Sequence, residues 1–491
     1  MIYKVAIFIL IVCNVTFSFQ QTLAEKYQYY FSKDSLKKHL VILTSDSLTG
    51  RYTGTTGQQK AAAYIKKQFK NNGIDPLFSS RYYQPFSIAH LKPSGNLFIN
   101  NKTLNYFKSY VHFDQDVSST FSKKEIVYFS EDVKEKHRID PKNKFILLTS
   151  REVEDFDNTT LRAYFNKYKK EQAAGIIFAT PTFEAIKEEM NKELTSKKFM
   201  LMDKLSRELD FPLFFVSEEL TDNLVFSKKR WERKFSKNKK IKRALIVGDI
   251  EGNINPDVKI VHTENVGGII KAENFNKEDQ EHIVVMGHYD HLGIRKGDIY
   301  RGADDNASGI ASIMEVARMF GLAKKEGVTF DRSIVLLAVS AEEIGLLGSE
   351  FYTHNPALPL NKTSAVLNID MVGRENLDTL DTYSLFLIGA DKINKELHDV
   401  NEKINKKHFD LHLDYRYNEE DHPMRLYYRS DHYNFVKYDV PSVFYFGGFH
   451  EDYHKPSDTA DKIDLEKLNK VSQLFFFTAW EIATNPQLLK R

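Results

Sequence analysis

The chain has 491 residues, 28 % of them charged, with a formal net charge of +2 and a single cysteine. That length exceeds one ordinary domain and allows two sizeable cores. The near-neutral balance excludes global steering toward nucleic acid or a strongly acidic partner, and one cysteine excludes a disulfide framework or a thiolate metal site.

In chain order, residues 1–20 read as an export signal. One lysine precedes the run Val5–Cys13, an apolar core too short to cross a bilayer as a helix. Cys13 follows Val12, which is bulkier than the small residue a lipid-attachment site calls for, so cleavage is preferred to acylation and Cys13 is lost with the leader. The expected location is the periplasm or the exterior. No later segment is apolar enough to span a membrane.

Residues 21–91 open the main domain. From Leu36 to Gly73 the sequence reads as helical, with Ala62, Ile65 and Phe69 on one face and Gly73 as the stop. Residues 92–252 change character: short strands such as IVYF, KFILLTS, GIIFAT and FPLFFVS alternate with lysine-rich helical pieces, and no cluster of ligand-like residues is present. This reads as a smaller inserted α/β domain, with the basic run Lys228–Arg243 as a solvated face. Residues 253–491 alternate strands and helices: HIVVMG, a helix from Asn306 with Ile310, Ile313, Met314, Ala317 and Phe320 on its buried face, SIVLLAVS, SAVLNIDMVG, SLFLIG, PSVFYF and a last helix from Leu465. Near-continuous apolar strands predict a mixed, mostly parallel sheet with helices on both faces.

Five residues able to bind metal lie just after such strands or at a helix mouth: His288, Asp304, Glu343, Asp370 and His454. Open α/β sheets place their sites there. Two imidazoles and three carboxylates suit two Zn²⁺ ions sharing one carboxylate. His288 has Asp290 two residues on, a candidate to fix its tautomer; alone, a His-x-Asp is as readily a surface pair. Asp304 in G-A-D-D-N-A-S-G could bridge cations, or could merely cap a helix. Glu342 and Glu343 end an apolar strand where two carboxylates have no packing value, so one can bind metal while the other faces substrate. Asp370 interrupts an apolar strand, which is costly without a partner. Each signal is modest; their joint order is what points to a dimetal hydrolytic centre.

At these motifs the chain resembles the secreted dizinc aminopeptidases, including bacterial leucyl aminopeptidases and, distantly, glutamate carboxypeptidase. The likeness covers Asp46–Gly73, with its D-S-L-T-G-R-Y-T-G-T opening, and Asn265 onward. It implies a zinc-exopeptidase fold, a protease-associated-like insert at 92–252, and peptide substrates with a free N-terminus. It implies His288 and Asp370 on one zinc, Glu343 and His454 on the other, Asp304 bridging, and Glu342 as general base. By the same likeness Tyr453 steadies an oxyanion, and Arg429 and Asp431 of R-S-D-H lie near the substrate's amino end. Carboxypeptidase or dipeptidase specificity, a single-zinc glutaminyl cyclase-like acyltransferase and a non-catalytic binding ectodomain are the competing readings. Side-chain preference and oligomeric state are not legible.

Overall fold

A computed structural model describes residues 23–92, 94–112, 117–128, 135–149, 158–188, 198–205, 207–208, 211–224, 244–278, 280–377, 383–419 and 421–490. The export leader with Cys13 and the basic run Lys228–Arg243 lie outside the described residues. The chain divides into two compact units, Met1–Ser87 with Val261–Arg491, and Ile88–Ile260.

In the first unit the helices are α1 Lys33–Leu43, α2 Thr56–Asn71, α3 Gly309–Lys325, α4 Leu347–His354, α5 Lys395–His408, α6 His432–Val436 and α7 Leu465–Thr484. The strands are β1 Asp257–Ile270, β2 His282–His288, β3 Ser333–Val339, β4 Thr363–Asp370, β5 Ser384–Ile388, β6 His412–Asp414 and β7 Ser442–Phe446. They lie in the order β6-β5-β7-β4-β2-β3-β1. β2 runs parallel to β3 and β4, β4 to β7, and β5 to β6; β1 on β3 and β5 on β7 are antiparallel. The sheet is therefore mixed and mostly parallel, as its apolar strands predict. Every residue of β2, β3, β4, β5 and β7 is buried, which is why none of them alternates polar with apolar.

The span expected to be helical, Leu36 to Gly73, holds two helices, α1 and α2, separated at Asp46–Arg51, where Thr49 and Gly50 take left-handed backbone angles that no α-helix tolerates. Gly73, with φ +71°, ends α2 as expected. α3 is buried well beyond one face, from Gly309 to Ala317 and at Met319, Phe320, Gly321 and Ala323. Trp480 of α7 stacks on Phe320 with ring centroids 5.6 Å apart and meets Phe330 edge-on at 5.3 Å, geometry that adds about 0.5–1.5 kcal/mol per pair beyond area burial.

The second unit holds a mixed sheet in the order Lys102–Asn105, Gly95–Ile99, Leu245–Ile254, Val117–Tyr128, Phe145–Thr149, Gly175–Thr180, Leu213–Ser217, Tyr110–His112. Helix Asn158–Lys170 belongs to this unit, and separate apolar clusters form around Ile146 and Phe178, and around Phe145 and Phe214.

Candidate metal centre

β2 delivers His288, fully buried, to the carboxyl end of the sheet. Its Nδ1 lies 3.2 Å from the backbone carbonyl of Asp290, and a carbonyl only accepts, so Nδ1 carries the proton. That leaves Nε2 as the ring atom facing Asp370 Oδ1 at 3.2 Å and Asp305 Oδ1 at 3.4 Å. The tautomer is thus set by the Asp290 main chain, with its carboxylate farther off at 3.7 Å. That carboxylate instead accepts the Glu342 N–H at 3.2 Å and the Thr53 hydroxyl at 3.0 Å.

The expected shared carboxylate, Asp304, is not in this cluster; Asp305 stands there instead. Asp305 Oδ1 faces His288, while Oδ2 lies 3.1 Å from His454 Nε2 and 3.6 Å from His291 Nδ1. Asp304 points inward: Oδ1 accepts the Gly373 N–H at 2.6 Å, and Oδ2 is 3.3 Å from His450 Nε2. The reason is local. The turn Ala303–Ser308 is non-helical at Asp305 (φ −100°, ψ 93°) and Asn306, so successive side chains leave it on opposite sides. Asp458 holds this turn, accepting the N–H of Asp304 at 3.0 Å and of Asp305 at 3.2 Å.

Beyond β3, Ala341 at φ +63° turns the chain so that Glu342 and Glu343 diverge. Glu343 Oε2 lies 3.3 Å from His454 Nε2, and its Oε1 is 2.6 Å from His291 Nδ1. Glu342 Oε2 stands 3.9 Å from His288 Nε2. Asp370, the last residue of β4, gives Oδ1 to the cluster and takes the Ser430 hydroxyl on Oδ2 at 3.0 Å. Four of the five expected ligands therefore converge. Asp305, His291 and Ser430 were missed, although the second Asp of D-D and the last His of G-H-Y-D-H stood in plain view.

The groups form two donor sets sharing Asp305: His288, Asp305 and Asp370; and His291, Asp305 and Glu343, with His454 at its edge. Within each set the ligand atoms lie within 4.8 Å of one another. Burial disfavours charge on His288, yet the carboxylates of Asp370 and Glu342 raise its pKa well above the usual value. His454 is likewise pushed up to about 10: burial lowers it, but hydrogen bonds and charge from Asp305 and Glu343 prevail. Imidazoles set among buried carboxylates form donor sets at which divalent ions would take the place of protons. The donor chemistry, nitrogen and carboxylate oxygen without sulfur, fits zinc. Burial, joined by the charges of Glu343, Asp370 and Asp431, raises the Glu342 pKa well above a normal glutamate.

Glu342, Tyr453 and Arg429 line the cleft at these ligands together with the apolar residues Met371, Leu426, Phe444, Phe446 and Phe449. The Tyr453 ring stacks on His454 with centroids 3.8 Å apart, and burial raises its phenol pKa. Asp431 does not line the cleft. It is buried, accepts the Ser349 hydroxyl at 2.5 Å, and is pushed up to about 7 by burial.

Sheet order, helix placement and a carboxylate–imidazole centre at the strand ends define an α/β fold of the zinc-exopeptidase type. Residues 265–479, the segment that carries the site, match the model of Peptidase family M28. Aminopeptidase YwaD of Bacillus subtilis is 27 % identical over 227 residues, 45 % of this chain and 44 % of that protein. A probable glutamate carboxypeptidase of Arthroderma benhamiae is 38 % identical over 98 residues, 20 % of this chain and 13 % of that protein. The chain thus spans less than half the length of these curated relatives. The structure of an aminopeptidase from Aneurinibacillus sp. strain AM-1 shares the fold, with a TM-score of 0.50 and 19 % identity over 95 % of this chain and 97 % of that one. No described helix is long and apolar enough to cross a membrane.

Proposed function

We propose that the chain is an exported metallo-aminopeptidase that holds two zinc ions and removes residues from the free N-terminus of peptides. The observation that carries this reading is the orientation of Asp305, whose two oxygens face separate donor groups. His288 and Asp370 would hold one ion, Glu343 and His454 the other, with Asp305 between them. When bound, the pair supplies Lewis acidity that brings a water's pKa toward neutrality and polarises a carbonyl.

The chain's own residues do the rest. Glu342 belongs to neither donor set, lines the cleft, and has a carboxyl whose burial raises its proton affinity. It accepts the proton of the attacking water and hands it to the leaving nitrogen. Tyr453 offers a phenol donor for the developing oxyanion, and the aromatic wall receives an apolar side chain. Residues 92–252 are read as a protease-associated-like insert that shapes access for longer peptides, and residues 1–20 as a cleaved leader. The test is an assay of the purified protein, with and without chelator, on aminoacyl amides, N-blocked peptides and peptides ending in glutamate. Chelator-sensitive cleavage of aminoacyl amides alone is expected. Cleavage of N-blocked peptides would favour the carboxypeptidase reading, and one bound ion at saturation the cyclase-type one.

A further inference from the structure

The motif D-S-L-T-G-R-Y-T-G-T-T-G-Q, Asp46–Gln58, contributes no atom to the donor sets. We propose that Arg51 and Thr53 of this motif are positioning residues of the metal centre, together fixing the spacing of the two loops that carry His288 and Asp305; this rests on the two-metal reading above.

Thr49, Gly50 and Arg51 take φ of 47°, 71° and 51° in succession, a turn that drives the arginine inward until it is 0 % exposed. Only glycine fits the middle position, since a Cβ on Gly50 would lie 2.2 Å from the Tyr300 carbonyl. The guanidinium then donates to four main-chain carbonyls. Nε reaches Tyr289 at 2.8 Å, Nη2 reaches Gly302 at 2.9 Å, and Nη1 reaches Arg301 at 2.7 Å and Leu43 at 2.6 Å. Tyr289 immediately follows His288, and Arg301 and Gly302 lead into the Asp305 turn. A planar, rigid fork of donors therefore sets the separation of both loops against α1. A lysine, with one point of attachment, cannot do this.

Thr53 extends the brace. Its hydroxyl donates to Asp290 Oδ2, and Asp290 Oδ1 accepts the Glu342 N–H, so the motif also bears on the base through one carboxylate. The return contact runs from the His291 N–H to the Arg51 carbonyl at 3.3 Å.

The experiment compares wild type, Thr53→Val and Arg51→Lys for zinc affinity by competition with a chromogenic chelator, for kcat and KM on an aminoacyl amide, and for Tm of the metal-free protein. Supporting groups behind metal ligands change affinity by about 10- to 100-fold, and a loss in that range is expected for both variants. It should come with a fall in kcat, little change in KM, and only a small Tm shift for Thr53→Val. A merely structural role would lower Tm and leave the zinc affinity of the folded fraction unchanged. Should Arg51→Lys fail to fold, Thr53→Val decides. Wild type that binds zinc while Thr53→Val matches it in affinity and kcat overturns the brace alone; wild type that binds no zinc overturns the two-metal reading and the brace with it.

Discussion

Asp304 and Asp305, adjacent in sequence, send their carboxylates to opposite sides of one turn: Asp305 Oδ2 lies 3.1 Å from His454 Nε2, and Asp304 Oδ1 takes the Gly373 N–H at 2.6 Å. Substitution should separate the two roles. Asp305→Ala is expected to abolish binding of both ions, since both donor sets use it. Asp304→Asn should keep the metal but lose stability. His450 Nδ1 accepts the Asp452 N–H, so its Nε2–H points at Asp304, and an amide there would set donor against donor. An unmet buried donor costs about 1–3 kcal/mol. Metal analysis with denaturation curves of the two variants checks both claims.

Glu342 and Glu343 should part in the same way. Glu342→Gln conserves shape and leaves both donor sets intact, so zinc content and KM are expected to hold while kcat falls by about 10² to 10⁴. Glu343→Gln removes a carboxylate that faces His291 and His454 and should lower occupancy of one ion. Turnover and zinc content measured side by side decide it; near wild-type turnover in Glu342→Gln would sink the proposed mechanism.

Zinc uptake should depend steeply on pH. In the metal-free protein His454 is pushed up to about 10 from its ordinary 6.5, so at neutral pH an ion must displace a proton there. Apparent affinity is therefore expected to rise with pH through the neutral range and level off near 10. The sign for folding is opposite. A raised histidine pKa gives stability that is fully present below 6.5 and is lost as pH climbs toward about 10. Calorimetric titration in buffers of different ionisation enthalpy should show proton release on zinc binding, and its absence near pH 7 would contradict the assignment.

The apolar wall makes a prediction about substrates. Phe449, edge-on to Phe446 and to Tyr453 at centroid distances of 5.1 and 5.0 Å, is partly exposed to the cleft. Phe449→Ala should raise KM for leucyl and phenylalanyl amides more than for alanyl amide. Equal effects on all three would place the substrate side chain elsewhere.

The fold was legible because burial on both sides leaves the interiors of β2, β3, β4 and β7 largely apolar, without polar–apolar alternation. His288 and Asp370 were legible for a related reason: a charged or imidazole group closing a buried strand has few structural uses. Asp304 and Asp305 were not separable, because period and composition are blind to a turn whose dihedrals leave the helical range at the second aspartate. The break after α1 carries no sequence signal either, since Thr49 at φ +47° is not a residue type that favours the left-handed region. Arg51 could not be placed at all, since three of its four partners are carbonyls 238 to 251 residues away in sequence and carbonyls carry no sequence signal.

That separation bears on the order of assembly. The unit holding the donor sets is interrupted between Ser87 and Val261. Its first segment leaves the ribosome with only the Leu43 carbonyl for Arg51 to grip until Tyr289 and Gly302 follow, and the site stays incomplete until His454. At about 5–20 residues per second of synthesis, the intervening Ile88–Ile260 unit has seconds to collapse alone. Once compact, it shortens the effective loop that Arg51 must close, whose entropic cost grows with the logarithm of length. The nascent chain would therefore acquire its grip on metal last, and a polypeptide stopped before His454 should emerge with a full sheet but an open ion site.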